Sequence, residues 1–224
     1  MNACDRASLT ALFVKCVDKS SRILDVGCGI GENMNLLKEI GFANVVGVDV
    51  CGDMVDESRR SGHLAFLVED LRENDFDVIL MSHVIEHVGY PEIVRFLEYY
   101  FARAKSNAIV VIITPVFYNA FFNDIDHIKP YFPDGLMMLF SARAISRQYK
   151  SDYSLTLEEI RFRRSPLTPY HLKCRYSRGL AGRLLFRSIC VLFAVLRLLS
   201  LDLLSRVTGY AAIFRLGRNG RKPI

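Results

Sequence analysis

The stretch Ile23-Leu24-Asp25-Val26-Gly27-Cys28-Gly29-Ile30-Gly31-Glu32 decides the fold. An apolar β-type run carrying one acid passes into a loop with glycine at every second position. Beyond it, Met34, Leu37 and Ile40 recur at helical spacing, and Gly41 stands where a helix is capped. Strand, glycine loop and helix in that order let the backbone approach a ligand closely, because glycine reaches positive φ and has no Cβ. The third glycine of a dinucleotide fingerprint would fall at position 32, which is Glu32. A tight strand-to-helix turn is the plain alternative, so the loop is weighed with what surrounds it.

Downstream, a second strand is expected over Asn44–Asp49, ending Gly47-Val48-Asp49. An α/β nucleotide fold places a carboxylate there for two ribose hydroxyls, since two acceptor oxygens match a vicinal diol. The same acid would also serve as a cap for the helix expected over Asp53–Ser61, which Gly62 closes. A third strand, His63–Val68, leads to Glu69-Asp70-Leu71, where Asp70 reads equally as a turn cap. The fourth, Phe76–Met81, opens into Ser82-His83-Val84-Ile85-Glu86-His87-Val88, and sites in such folds lie where a buried strand turns polar at its C-terminal end. Pro91 begins a helix whose inner face is Phe96, Leu97, Tyr100, Phe101 and Ala104. Ala108–Ile113 is apolar throughout, as a central parallel strand should be. A helix over Asp134–Tyr149 and strands over Leu155–Arg163 and Gly209–Leu216 follow. At the other end, residues 7–18 have helical spacing and are expected to cover a sheet edge or to lid a bound cofactor.

Taken as an ordered set, Ile23 to Gly31, Val45 to Val50, Glu69-Asp70-Leu71 and Phe76 to Val88 resemble the motifs of class I S-adenosylmethionine-dependent methyltransferases. The likeness covers residues 20–120 and is strongest to the branch acting on small molecules, quinones and lipid-linked substrates, the domain types 11 and 12. It implies a Rossmann-like α/β fold: a seven-stranded, mostly parallel sheet with an antiparallel last strand and helices on both faces. It implies S-adenosyl-L-methionine as cofactor, bound through Asp25, Gly27, Gly29, Gly31, Asp49 and Val50. Met54 would pack on the adenine, Asp70 and Leu71 would meet its amino edge, and Ser82 and His83 would line the methionine moiety. The aromatic segment Phe117–Pro133 resembles a loop that closes over acceptor in such enzymes. A hydroxyl acceptor benefits from a base, and His87 and His127 are the candidates, with Glu86 or Asp126 as orienting partners. Positioning alone suffices for an acceptor that is already acidic.

A chain of 224 residues suits one α/β domain with an extension: a core over 1–164, a helical insertion over 165–208, and a last strand with tail over 209–224. The net charge of +5 is uneven, because from Arg161 onward fourteen Lys and Arg face only Asp202. That balance points to an anionic partner, phospholipid or nucleic acid. Within the insertion, Leu184, Leu185, Ile189, Leu192, Phe193, Leu196, Leu199 and Leu203 make a broad apolar face, and Arg183, Arg187 and Arg197 a narrow stripe. Charges interrupt it too often for the ~18 apolar residues of a membrane crossing. A helix lying in a membrane interface fits this pattern, so residues 183–206 are expected to make a peripheral contact on the cytoplasmic membrane face. A core helix or a homodimer interface is the alternative. Nucleic acid fits less well, since Arg alternates with aliphatic rather than stacking side chains.

The six cysteines are scattered, with no pair or Cys/His cluster at zinc spacing, so reduced thiols in a cytoplasmic protein and no metal site are expected. Asp5 and Arg6 come too early for a signal peptide. The expected function is methyl transfer to an oxygen of a lipid-linked or small-molecule acceptor. A tRNA or rRNA methyltransferase and an inactive membrane-bound scaffold are the alternatives, and NAD binding is disfavoured by the glycine spacing.

Overall fold

In chain order the elements are α1 (Ala3–Cys16), β1 (Ile23–Val26), α2 (Glu32–Glu39), β2 (Val45–Asp49), α3 (Gly52–Arg60), β3 (Leu64–Leu67) and β4 (Phe76–Ser82). They continue with α4 (Glu92–Phe101), β5 (Ala104–Pro115), α5 (Pro133–Leu139), β6 (Tyr153–Pro166), α6 (Leu180–Leu199) and β7 (Ser205–Arg218). The computed structural model describes residues 3–118, 120–141, 151–166, 179–200 and 205–219. The strands form one seven-stranded sheet in the order β3-β2-β1-β4-β5-β7-β6. The first five pair in parallel, and β7 runs antiparallel to both β5 and β6, so β6 points the same way as β4 and β5.

The central strands are apolar through Ile23–Leu24, Val78–Met81 and Ala108–Ile113 because both faces are covered there. Their period of two divides them between the faces. Leu24, Ile79, Met81, Val110 and Ile112 pack with Ile93, Leu97 and Phe101 of α4 and with Leu136 of α5. Ile23, Val78, Leu80, Val111 and Ile113 face the other way, onto α1 and α2. Helix α1 lies over the β7–β6 end of the sheet, with Lys15 bonded to Glu159 of the edge strand. Leu9, Leu12 and Phe13, at one helical face, lie fully buried against Val111, Ile113, Ala211 and Ile213, on the sheet's face. Gly41, at φ 90°, ends α2: its N–H donates to the Lys38 carbonyl and the Phe42 N–H to that of Leu37, a Schellman closure that seats the Phe42 ring in the core.

The last two strands run longer than the alternation predicted. Their ladder continues through Arg164↔Val207 and Ser165↔Arg206 to Pro166↔Ser205. The insertion therefore lies within 167–204, not 165–208, and Arg206 belongs to a strand. Residues 142–149 of the expected fifth helix, with Asp202 and Leu203, fall outside the described residues. Because β6 parallels β4 and β5, α6 is attached at the edge of the sheet where β1, β4 and β5 end. None of its residues is buried, and eight large apolar side chains, from Leu180 to Leu199, are exposed. Among the described residues no helix is long and apolar enough to cross a membrane.

Candidate active site

At that edge, the glycine loop and the end of β4 enclose an open cavity of about 560 Å³. The loop is built on positive φ: 69° at Gly27, 53° at Gly29 and 91° at Gly31. Gly27 N–H donates to the Val48 carbonyl at 2.8 Å. Asp49 then fixes the tip, its Oδ2 accepting Gly29 N–H and its Oδ1 accepting Cys51 N–H, both at 2.9 Å. A Cβ on Gly27 would lie 2.5 Å from Val84 Cγ2, whereas one on Gly29 would meet nothing within 4 Å. The bare side of Gly29 is thus the cradle.

Beneath the loop, Asp25 is fully buried. Its Oδ1 accepts a hydrogen bond from Asn33 Nδ2 at 3.2 Å, while its Oδ2 and Asn33 Oδ1 have no partner in the protein. Burial pushes the Asp25 carboxyl up to about 7; the Asn33 bond pulls it back and the nearby Asp49 charge adds to the rise. Two orphaned acceptors under a glycine cradle suit the cationic amino-acid end of S-adenosyl-L-methionine.

Of the residues singled out in the sequence, Gly27, Gly29, Met54, Ser82, His83, His87 and His127 line this one cavity. Gly31 does not; it caps α2 and packs on His63. Val50 is exposed, and Asp70 lies exposed in the short 3₁₀ turn Val68–Asp70. The Leu71 side chain is buried in the core, so what it presents to a ligand is its backbone.

A charged network, unread in the sequence, backs the cavity. His83 adopts φ 59°, a conformation histidine tolerates better than most residues. Its Nδ1 donates to Glu86 Oε1 at 3.1 Å and its Nε2 to Asp5 Oδ2 at 2.8 Å. Burial disfavours charge on this ring, but the two acids outweigh it and hold the imidazole up at about 9. Arg163 pairs with Asp5, and Thr114 Oγ1 donates to Glu86 Oε2 at 2.9 Å. Both acids are buried, and their neighbours neutralise them. Asp5, Thr114 and Arg163 come from three distant segments; the one trace in the sequence is an acid in the first turn of an apolar-faced helix.

His87 and His127 lie side by side in the cavity wall, ring centroids 5.0 Å apart and planes tilted by 60°. His87 Nδ1–H donates to the Asp126 carbonyl at 3.0 Å and His127 Nδ1–H to the Phe121 carbonyl at 2.8 Å. In each neutral ring the lone pair is therefore on Nε2. The expected orienting carboxylates are corrected: Glu86 serves His83 and Thr114, and Asp126 acts through its backbone. The segment after β5 is tied down where Ile128 N–H and Lys129 N–H donate to the Glu86 carbonyl at 2.8 and 3.2 Å.

A second hollow, about 420 Å³, shares His83 and His127 with the first and continues past Tyr118 to Arg163, Arg164 and Ser165. It leads toward the strand ends that carry α6. A hollow of about 590 Å³ on the outer side of α1 has only Arg6, Thr10 and Lys15 as polar lining and gathers no such chemistry.

A family profile described as a methyltransferase domain matches residues 4–154. The chain belongs to this family of methyltransferase domains. It is 30% identical to a mitochondrial ubiquinone biosynthesis O-methyltransferase of Candida albicans, over 33% of this chain and 27% of that protein. A ubiquinone biosynthesis O-methyltransferase of Bradyrhizobium diazoefficiens is 30% identical over 50% of this chain and 46% of its own length. A Homo sapiens protein bearing the name tRNA methyltransferase 9B is 34% identical over 34% of this chain and 17% of its own. The chain thus spans less than half the length of each of these relatives. A solved methyltransferase of Archaeoglobus fulgidus superposes with TM-score 0.55 at 21% identity, covering 94% of both chains, and so shares the fold.

Proposed function

We propose that this methyltransferase O-methylates an amphipathic acceptor, lipid-linked or a small molecule with an apolar tail, at a membrane surface. One observation carries the reading. Helix α6 leaves eight large apolar side chains in the open and is attached at the sheet edge where the site lies. So large an apolar surface on a soluble monomer marks an interaction site. Arg183, Arg187 and Arg197 on the same helix suit anionic headgroups, each worth about 1 kcal/mol near the surface. The names of two relatives, both ubiquinone biosynthesis O-methyltransferases, agree with an oxygen acceptor of apolar character.

When bound, S-adenosyl-L-methionine supplies an activated methyl on sulfur, so the protein's task is placement and exclusion of water. Gly27, Gly29, Asp25 and Asn33 would hold its amino-acid end, and Asp49 and Met54 its nucleoside. The second hollow would hold the acceptor. His87 and His127 offer the lone pairs that help a hydroxyl lose its proton.

The test is a screen of purified protein with labelled cofactor against lipid extract, water-soluble metabolites and total RNA, alongside flotation with anionic liposomes. Label in a lipid or apolar phenolic product, with the protein floating, is the expected result. Label in RNA, or a protein that stays off the liposomes as a stable dimer, overturns it. Leu185→Ser, Leu192→Ser and Leu199→Ser, seven residues apart on one face, should together release the protein while cofactor binding persists.

A further inference from the structure

Glu86, His87 and His127 present one donor atom each, all within 4.8 Å of one another. We propose that these three side chains form a site for a divalent ion of borderline softness, of the Zn²⁺, Mn²⁺, Fe²⁺ or Co²⁺ class, beside the methyl-transfer cavity.

The donors are prepared in the way metal ligands are. A ligating histidine gives its other ring N–H to a carbonyl or carboxylate, which fixes tautomer and orientation. Both rings do so here, through the carbonyls of Asp126 and Phe121. Glu86 is fully buried, and its carboxylate is held from behind by His83 and Thr114. A carboxylate has about four lone-pair positions, so two remain. The two contributing segments are fastened together at the site itself, because Ile128 and Lys129 donate to the carbonyl of Glu86. Asp124 Oδ2, 3.6 Å from His127 Nε2, lies within reach as a further oxygen.

The donor set selects the ion. Two imidazoles and a carboxylate suit borderline divalent metals, whereas magnesium and calcium take oxygen ligands. Bonds of about 2.0–2.2 Å require donors about 3.3 Å apart, so the three must close by about 1.5 Å. The closure would come from rotation of the three side chains as the ion enters, with the Nδ1–H bonds acting as pivots. Three protein ligands also leave positions open, as sites that act on substrate do. The role of the ion rests on the O-methylation reading; its binding does not. An acceptor hydroxyl taking an open position would lose its proton to solvent at lower pH. Its oxygen would then bond the methyl carbon as the carbon–sulfur bond breaks, with the pair retained by sulfur. On this account His87 and His127 act through the ion and not as direct proton acceptors.

The experiment uses untagged full-length protein, stripped with EDTA, and titrates Co²⁺ by visible absorption and Zn²⁺ by calorimetry. One ion per chain is expected, with Zn²⁺ displacing Co²⁺. His87→Ala and His127→Ala should each weaken binding at least tenfold, because even the partners of metal ligands are worth about 10–100-fold. His63→Ala, remote from the cluster, should leave it unchanged. Cofactor binding in the same samples reports on folding. Wild-type ion affinity no better than that of the His87→Ala/His127→Ala pair, with cofactor binding intact, overturns the site and leaves the methyltransferase reading standing. Ion binding with acceptor turnover that EDTA does not reduce overturns the role.

Discussion

Asp25 shows how one residue can be plain in sequence and still be misjudged in chemistry. Its position before the glycines is obvious, but not that it lies wholly buried with an unpartnered oxygen. Its carboxyl sits near 7 in the fold against 3.8 as the ordinary value. A raised carboxyl favours the protonated form, so in cofactor-free protein Asp25 costs stability progressively as pH rises from about 4 to about 7, and a constant amount above. Asp25→Asn removes this slope. Urea melts at pH 5 and pH 8 should show the variant gaining on wild type at the higher pH, with a ceiling on the order of 2.5 kcal/mol between those two values. Parallel pH profiles would refute it. Asp49 carries two duties, pinning the loop and offering oxygen to a ribose. Asp49→Ala should weaken cofactor binding by about 1.5–3 kcal/mol in calorimetry, and Asp49→Asn by less, since the amide retains one acceptor. Unchanged affinity would remove Asp49 from the cofactor site. The histidines were legible as residue types but not as a pair, because 40 positions separate them and no local spacing records a fold-built contact.

Among the elements, strands β1, β2, β4 and β5 and helices α2 to α4 follow from apolar periodicity and from the glycines that end them. Helix α1 was legible as a helix, with its placement open between an edge cover and a lid. A stripe of Leu9, Leu12 and Phe13 says that one face is buried, not against what. Its anchor is Asp5, which meets His83 and Arg163. Asp5→Asn leaves two cations facing an amide in a buried setting, and losing one partner of such a network costs about 3–5 kcal/mol. Hydrogen exchange should therefore quicken across residues 3–16 well before the core of the sheet responds. Uniform change over the whole sheet would show that α1 does not open separately. The hairpin of β6 and β7 outran its sequence signal because alternation fades in Arg163, Arg164 and Ser165, where pairing continues without a buried face.

At the scale of the molecule, the order of strands puts three things on one edge: the glycine cradle, the paired histidines and the root of α6. The sequence showed the first through its motif and the third through its composition. That they share an edge required the topology, since β6 stands two strands beyond β5 and four beyond β1 and reaches the site end of the sheet only by running parallel to them. The proposed membrane contact has a mixed character that salt can separate. Eight exposed apolar side chains outweigh three arginines at about 1.5–3 kcal/mol per fully buried side chain, so 1 M salt should remove only part of the protein from anionic vesicles and detergent all of it. Complete release by salt would reduce α6 to an electrostatic tether.

The attachment of α6 at the mouth of the site also sets the kinetics. On the proposed placement, the enzyme samples its acceptor in two dimensions, and the quantity it reads is the acceptor's mole fraction in the lipid. Adding inert lipid at constant total acceptor should then slow turnover, even though nothing in the bulk solution has been diluted.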